Sequence, residues 1–266
     1  MDVRGKIVVI TGAASGIGRA LAARFVREEA QHVVVTDVDE VGAARVASEL
    51  GATASARGLD VSDEHAVAAL VADVETTIGP IDLFCSNAGV LPIDPDPANA
   101  ASTPTAAWDL AWRVNVMAHV FAARAVLPSM IARRSGYFLH TVSAAGLLSQ
   151  IGSAAYSTTK HAAIGFAESL AITHKDHGIR VSVLCPQAVD TAMIQGKSMN
   201  GADVDGVISA DDVASAAIEG MAKETFLILP HPSVATYVAH KAASYDRWLG
   251  GMAKLRRAIA RATSLT

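Results

Sequence analysis

Short runs of β-branched and aliphatic residues, alternating with longer stretches of helical pattern, leave this chain few possible architectures. The runs are Lys6–Ile10, His32–Thr36, Ile81–Ser86, Tyr137–Thr141, Arg180–Cys185 and Phe226–Leu229, with a weaker one before Asp60. Most are continuously apolar, the pattern of strands covered on both faces. Between them, the Ala-rich segments Gly18–Glu29, Glu64–Thr77, Ala107–Ile131 and Tyr156–His174 read as helices. Such alternation predicts a parallel sheet with right-handed crossovers. The expected fold is α/β: a single-domain Rossmann fold, doubly wound, with about seven strands and helices on both faces. No linker, repeat or low-complexity tract divides the 266 residues, so one domain is expected over 1–266. The Pro/Asn/Ala-rich piece Pro92–Thr105 reads as a surface loop.

Composition removes several function classes. Hydrophobic residues make up 51% and charged residues 18%, with a net charge of −4. A chain this apolar is not disordered, and nothing in its charge suggests binding to nucleic acid. Met1–Lys6 leads straight into a strand with no leader pattern. No stretch reads as the roughly 20 apolar residues needed to span a bilayer. Cys85 and Cys185 lie in apolar runs and are expected to be buried, reduced thiols. These readings together suggest a cytoplasmic protein. His140, His161 and His231 have no second ligand at useful spacing, so no metal requirement is expected.

The first strand ends in Thr11-Gly12-Ala13-Ala14-Ser15-Gly16-Ile17-Gly18, and a helix follows. Glycines here permit tight turning and close approach of backbone to a pyrophosphate. The helix N-terminus offers free N–H groups and a positive dipole end to the phosphates. The second strand ends in Asp37, nineteen positions after Gly18. A carboxylate there can accept hydrogen bonds from the adenosine ribose and would repel a 2′-phosphate. Ser15 and Val38, rather than Arg or Lys, occupy the natural flanking positions, so NAD is expected in preference to NADP. A competing reading makes Asp37 a helix N-cap, but Asp39 can serve as that cap instead.

Tyr156 and Lys160 lie four apart on a predicted helix and so share a face. Ser143 lies thirteen residues before Tyr156, just after an apolar strand. Parallel-sheet enzymes place their chemistry at such strand ends. Together with the glycine motif, Asp60-Val61, Asn87-Ala88-Gly89, Asn115, Tyr156-Ser157-Thr158-Thr159-Lys160, Pro186 and Thr191, the pattern resembles the classical short-chain dehydrogenase/reductase family. The resemblance runs from Lys6 to about Pro230 in both order and spacing.

The resemblance implies an oxidoreductase that transfers hydride between a secondary alcohol, or its ketone, and NAD. Tyr156 would be the general acid/base. Lys160 would favour its phenolate and hold the nicotinamide ribose, Ser143 would position the substrate oxygen, and Asn115 would anchor a water beside Lys160. Asp60 and Val61 would meet the adenine, Asn87 would brace the fourth strand, and Ala88-Gly89 would let the cofactor pass. Gly12, Ser15, Gly16, Ile17, Gly18 and Asp37 complete the implied cofactor set, with Pro186, Val189 and Thr191 towards the nicotinamide. The family usually has Gly after that proline. This chain has Gln187, which would restrict the backbone or reach into the substrate pocket.

Candidate substrate residues are Ser143, Ala145, Leu148, Gln150, Gln187 and Met193, with Val90, Leu91, Leu147 and Ile194 nearby. Apart from the hydroxyl and amide groups they are apolar, and none is Arg or Lys, which suits an uncharged, fairly hydrophobic alcohol or ketone. A substrate lid is expected at about 190–210 and a helical extension at about 233–262. Trp248, Met252, Leu255 and Ile259 recur at helical spacing beside several cations. That stripe would dock on its own or a neighbouring subunit, or else adsorb to an anionic membrane. The resemblance also implies a homo-oligomer, dimer or tetramer. Competing functions are an NADP-linked ketone reductase, a sugar-nucleotide epimerase or dehydratase, and a non-catalytic NAD-binding protein.

Overall fold

The computed structural model describes residues 1–194, 201 and 203–263. Seven strands run through it: β1 Ile7–Thr11, β2 His32–Asp37, β3 Ala54–Gly58, β4 Leu83–Ser86, β5 Gly136–Thr141, β6 Ile179–Leu184 and β7 Leu227–Ile228. All pair in parallel, in the order β3-β2-β1-β4-β5-β6-β7. The helices are α1 Gly16–Arg27, α2 Glu40–Leu50, α3 Glu64–Thr77, α4 Thr105–Trp112, α5 Ala118–Arg133, α6 Ala145–Leu148, α7 Ala154–His174, α8 Ala210–Ala222, α9 Ser233–Ala243 and α10 Tyr245–Thr263. The result is one α/β domain with the doubly wound topology expected.

Alternate residues of each central strand feed two cores. Ile7, Val9, Phe84 and Phe138 pack on one face with residues of α3, α5 and α7. Val8, Ile10, Leu83 and Leu139 pack on the other with α1, α2 and α8. Burial on both faces explains why the central strands are apolar throughout. The strand order turns back between β1 and β4, and the carboxyl ends flanking that point form a crevice.

Two details depart from the sequence reading. The helix expected over Ala107–Ile131 begins at Thr105 and is interrupted by a π-helical segment, Arg113–Met117, which carries Asn115. The composite Thr105–Arg133 is also long and apolar enough to cross a bilayer by composition, contrary to the expectation that no stretch would be. Here 56% of its most apolar window is buried inside the fold, as befits a core helix against the sheet.

Candidate active site

A cleft of about 780 Å³ opens at the carboxyl ends of β1, β4, β5 and β6. Its floor at one end is the turn after β1. Gly16 adopts φ +53, and a Cβ on Gly12 would come within 2.7 Å of the Ala88 backbone. Gly18 allows α1 to approach the Gly12 carbonyl and the Asn87 side chain, so its role is helix–strand packing rather than lining the cleft. Asn87 stitches β4 to this turn by donating to the carbonyls of Thr11 (3.0 Å) and Gly12 (3.1 Å). Thr11, which the sequence reading assigned no role, accepts at its hydroxyl from the backbone N–H of both Asn87 and Ala88.

Helix starts differ across the molecule, and α1 is among those without a side-chain cap or a first-turn acid, as are α4, α7 and α9. Asp39 caps α2, Asp63 caps α3, and Ser209 with Asp212 forms a capping box on α8. Ser15, at the start of α1, makes no side-chain cap, and the first turn of α1 holds no acidic residue. Its N–H groups and dipole therefore face the cleft uncompensated, a fit for phosphate. Asp37 ends β2 at the same rim and does not cap α2. Its carboxylate accepts from the N–H of Ala14 (3.0 Å) and of Asp39 (3.0 Å). Val38 beside it is 78% exposed. Asp60 is exposed at the rim, with Val61 buried next to it.

At the middle of the cleft, Ser143 follows β5 and Tyr156 and Lys160 project from α7. The Ser143 hydroxyl hydrogen-bonds the Tyr156 phenol and also accepts from the Ala145 N–H at 3.1 Å. The Lys160 Nζ donates to the Thr141 carbonyl at 3.2 Å and lies 5.5 Å from the centre of the Tyr156 ring. Burial pushes the Tyr156 phenol up to about 12, against the opposing pull of Ser143. The same burial brings Lys160 down to about 8, with only 3% of the residue exposed.

Asn115 sits just behind the cleft, fully buried. Its Oδ1 accepts from the Val90 N–H (2.9 Å), and its Nδ2 donates to the Val90 carbonyl (3.0 Å) and the Thr159 hydroxyl (3.1 Å). Thr159, like Thr11, is a structural partner that sequence reasoning left aside. Deeper still, His119 and His140 share a hydrogen bond of 2.8 Å between their Nδ1 atoms, and burial holds both rings below the ordinary imidazole range. Among the described residues, no group of three or more potential ligands is placed to hold a metal. Both cysteines are free and buried.

Gln187 lines the cleft with an ordinary negative φ, so this departure from the family pattern does not strain the backbone. Its N–H donates to His231 Nδ1 (3.1 Å), and its side chain reaches Asp205. Desolvation alone would raise the Asp205 carboxyl. Hydrogen bonds from Ser233, Tyr237 and Gln187 outweigh it and hold the group below its ordinary value. Thr191 caps no described helix and packs over Gly16 instead.

The cleft thus gathers all the predicted cofactor residues but Gly18 and all six candidate substrate residues. Leu147, a neighbouring candidate, turns away from it into the core. The lid expected at about 190–210 lies partly outside the described residues. Leu110, Ile151, Tyr237, Trp248, Met252 and Leu255 line the cleft without having been assigned to it. Tyr237 belongs to α9 and the last three to α10. Their helical stripe was visible in the sequence, but its target was not.

The family model for short chain dehydrogenase matches residues 6–201. The chain belongs to the short-chain dehydrogenase family. It is 40% identical over 233 residues to 1-deoxy-11-beta-hydroxypentalenate dehydrogenase of Streptomyces exfoliatus, covering 86% of this chain and 84% of that protein. It is 34% identical to momilactone A synthase of Oryza sativa subsp. japonica, covering 80% and 82%. Among solved structures, it resembles a short-chain dehydrogenase/reductase from Burkholderia phymatum in complex with NAD, with a TM-score of 0.82 and 28% identity over 92% of this chain and 96% of that one. It also resembles 3-ketoacyl-(acyl-carrier-protein) reductase from Brucella melitensis complexed with NADH, with a TM-score of 0.78 and 29% identity over 86% and 95%. As a short-chain dehydrogenase, the protein is an oxidoreductase acting on CH–OH groups.

Proposed function

We propose that this short-chain dehydrogenase oxidises an uncharged, hydrophobic secondary alcohol with NAD, using Tyr156 as general acid/base. The observation that carries the reading is the meeting of Ser143, Tyr156 and Lys160 in one cleft whose nucleotide end is rimmed by Asp37. NAD, when bound, supplies the hydride acceptor. The residues that would hold it are the turn Gly12–Ile17, Asp37, Asp60, Val61, Ala88, Gly89, Lys160, Pro186, Val189 and Thr191.

Each side chain then has a task its position suits. Ser143 donates to the substrate oxygen and so aims it at the Tyr156 phenol. Tyr156 takes the hydroxyl proton as the C–H bond breaks. A phenol held near 12 stays protonated near neutrality and cannot take that proton, so the phenolate that does so needs a cation beside it in the working complex. Lys160, brought down to about 8, is still mainly protonated at pH 7 and supplies that charge. Asn115 acts as a positioning residue, because its amide is taken up by Val90 and Thr159. It fixes the Val90 loop and the π-helical segment rather than reaching a reacting atom.

Among the described lining residues Lys160 is the only Lys or Arg, which disfavours anionic substrates. Apolar walls suit a fused-ring or terpene-like alcohol better than a polyol. The relative that dehydrogenates a hydroxypentalenate supports a hydroxyl as the reacting group, although that relative's substrate carries a carboxylate. We further propose a cytoplasmic homo-oligomer packed through α4–α5 and α7, where Trp112 and Ile172 are exposed. A monomeric mass by light scattering would remove the oligomer.

The functional test is absorbance of reduced nicotinamide across a panel of secondary alcohols, with NAD and NADP in parallel. Turnover with NAD should fall at least 1,000-fold in Tyr156→Phe, roughly the full general acid–base contribution. Tyr156→Phe turning over like the parent would refute the assigned base. Turnover chiefly with NADP would refute the cofactor.

A further inference from the structure

The C-terminal helix α10 has an unusual place for a segment that follows the last strand. Its apolar stripe is half-buried rather than left fully in solvent. Trp248, Met252 and Leu255 line the same cleft as Tyr156 and Gln187. Its cations Arg247, Lys254, Arg257 and Arg261 are exposed instead.

The helix is fastened to several parts of the rim. Arg256 donates to the Pro97 carbonyl at 3.2 Å, tying α10 to the loop after β4. Leu255 packs against Gly201 in the segment after β6, where an added Cβ would lie 3.2 Å from its Cδ2. Trp248 joins Ala144, Leu148 and Val234 in a small apolar cluster beside Ser143. The preceding helix α9 is fastened as well. Lys241 donates to the Leu147 carbonyl at 2.6 Å, and Ser233 (2.8 Å) and Tyr237 (3.0 Å) both donate to Asp205. Through Asp205, the segment after β6 and the C-terminal helices are joined to Gln187 at the wall of the cleft.

From this placement we infer that α10 is the roof of the substrate end, and that Trp248, Met252 and Leu255 determine specificity by covering the part of a bulky apolar alcohol farthest from Tyr156. The inference rests on the proposed dehydrogenase reading and names a determinant within it. A small alcohol, held at Ser143 and Tyr156, does not extend to the roof. A multi-ring alcohol buries its distal surface there and gains hydrophobic stabilisation that the small one lacks.

The test uses the full chain carrying Met252→Ala, Leu255→Gln or both, with Trp248→Ala as a further variant. Trp248 also packs in the α6–α9 cluster, so the first two substitutions carry the test if that variant fails to fold. For each protein, kcat and KM are measured with cyclohexanol and with a hydroxysteroid, alongside NAD affinity by intrinsic fluorescence. KM for the steroid should rise about tenfold per variant, with kcat, cyclohexanol KM and NAD affinity within twofold of the parent. Equal effects on both alcohols, or no effect on the steroid, overturn the roof. If the parent oxidises neither alcohol, the NAD-loaded proteins are titrated with the neutral apolar dye N-phenyl-1-naphthylamine. Weaker dye binding in the variants sustains the roof while the oxidation reading fails. Unchanged dye binding overturns the roof as well.

Discussion

Replacing Asn115 by Ala tests whether the loop behind the catalytic cleft is held by side-chain hydrogen bonds. The substitution removes three bonds at once: two to the Val90 backbone and one to Thr159. Val90 is half-buried at the edge of the cleft, so water compensates part of the loss, and about 1 kcal/mol is expected for each of its two groups. Thr159 is fully buried but keeps its bond to the Tyr156 carbonyl, which limits its share to about 0.5 kcal/mol. The space left by the amide adds roughly 0.5–1 kcal/mol. The sum is about 3 kcal/mol. At about 2.1 cal/mol/K per residue, a chain of 266 residues unfolds with an entropy near 0.56 kcal/mol/K, so Tm should drop by about 5 °C. Thermal melts by circular dichroism measure this, with Thr159→Val as a milder companion expected to cost about 1 kcal/mol. In the surviving folded enzyme kcat should fall while NAD affinity stays, because the Val90 loop borders the chemistry rather than the nucleotide end. A Tm change below 1 °C, or a loss confined to NAD affinity, would refute this account of Asn115.

Other outcomes follow from the same geometry. Asp37→Asn removes the charge at the nucleotide rim but keeps an acceptor. The ratio of kcat/KM for NADP to that for NAD should rise about 30-fold, equivalent to about 2 kcal/mol, and an unchanged ratio would show that Asp37 does not select the cofactor. Lys160→Met should abolish turnover yet stabilise the cofactor-free protein at pH 7. The folded lysine is held near 8 against 10.5 when free, a difference of about 3 kcal/mol. The unfolded chain binds more protons in that window, so the parent gains stability as pH rises from 8 to 10.5. The advantage of the variant should therefore shrink over that range, and a gap constant with pH from 7 to 10 would contradict the assigned shift.

The sequence made the central strands plain because burial on both faces demands continuous apolar runs. The two strands it defined least well, β3 and β7, are the two edges of the sheet. Ala54–Gly58 is only half-buried, and the run expected over Phe226–Leu229 contracts to Leu227–Ile228, because an edge strand needs fewer partners and a weaker pattern. Residues from distant segments that meet in the cleft were legible through the family resemblance carried by Ser143, Tyr156, Lys160 and the glycine motif, not through any one spacing alone. The π-helical segment at Asn115 was not, since its apolar pattern is that of any core helix. Thr11 and Thr159 were hidden for a different reason: a buried hydroxyl shows its purpose only beside its partners. The stripe on α10 was legible as an amphipathic helix, but its target depends on long-range packing that no local pattern carries.

The position of α10 also bears on how such a protein can change. It follows all seven strands in the chain and adds nothing to the sheet, yet three of its side chains form part of the cavity wall. Substitutions there, or exchange of the whole helix for another, alter the shape of the chamber while the residues of α7 and the turn after β1 stay in place. On the proposed reading, part of the selectivity is therefore encoded in a stretch of the polypeptide apart from the catalytic side chains, joined to them through the packing of Trp248 on Ala144 and Leu148.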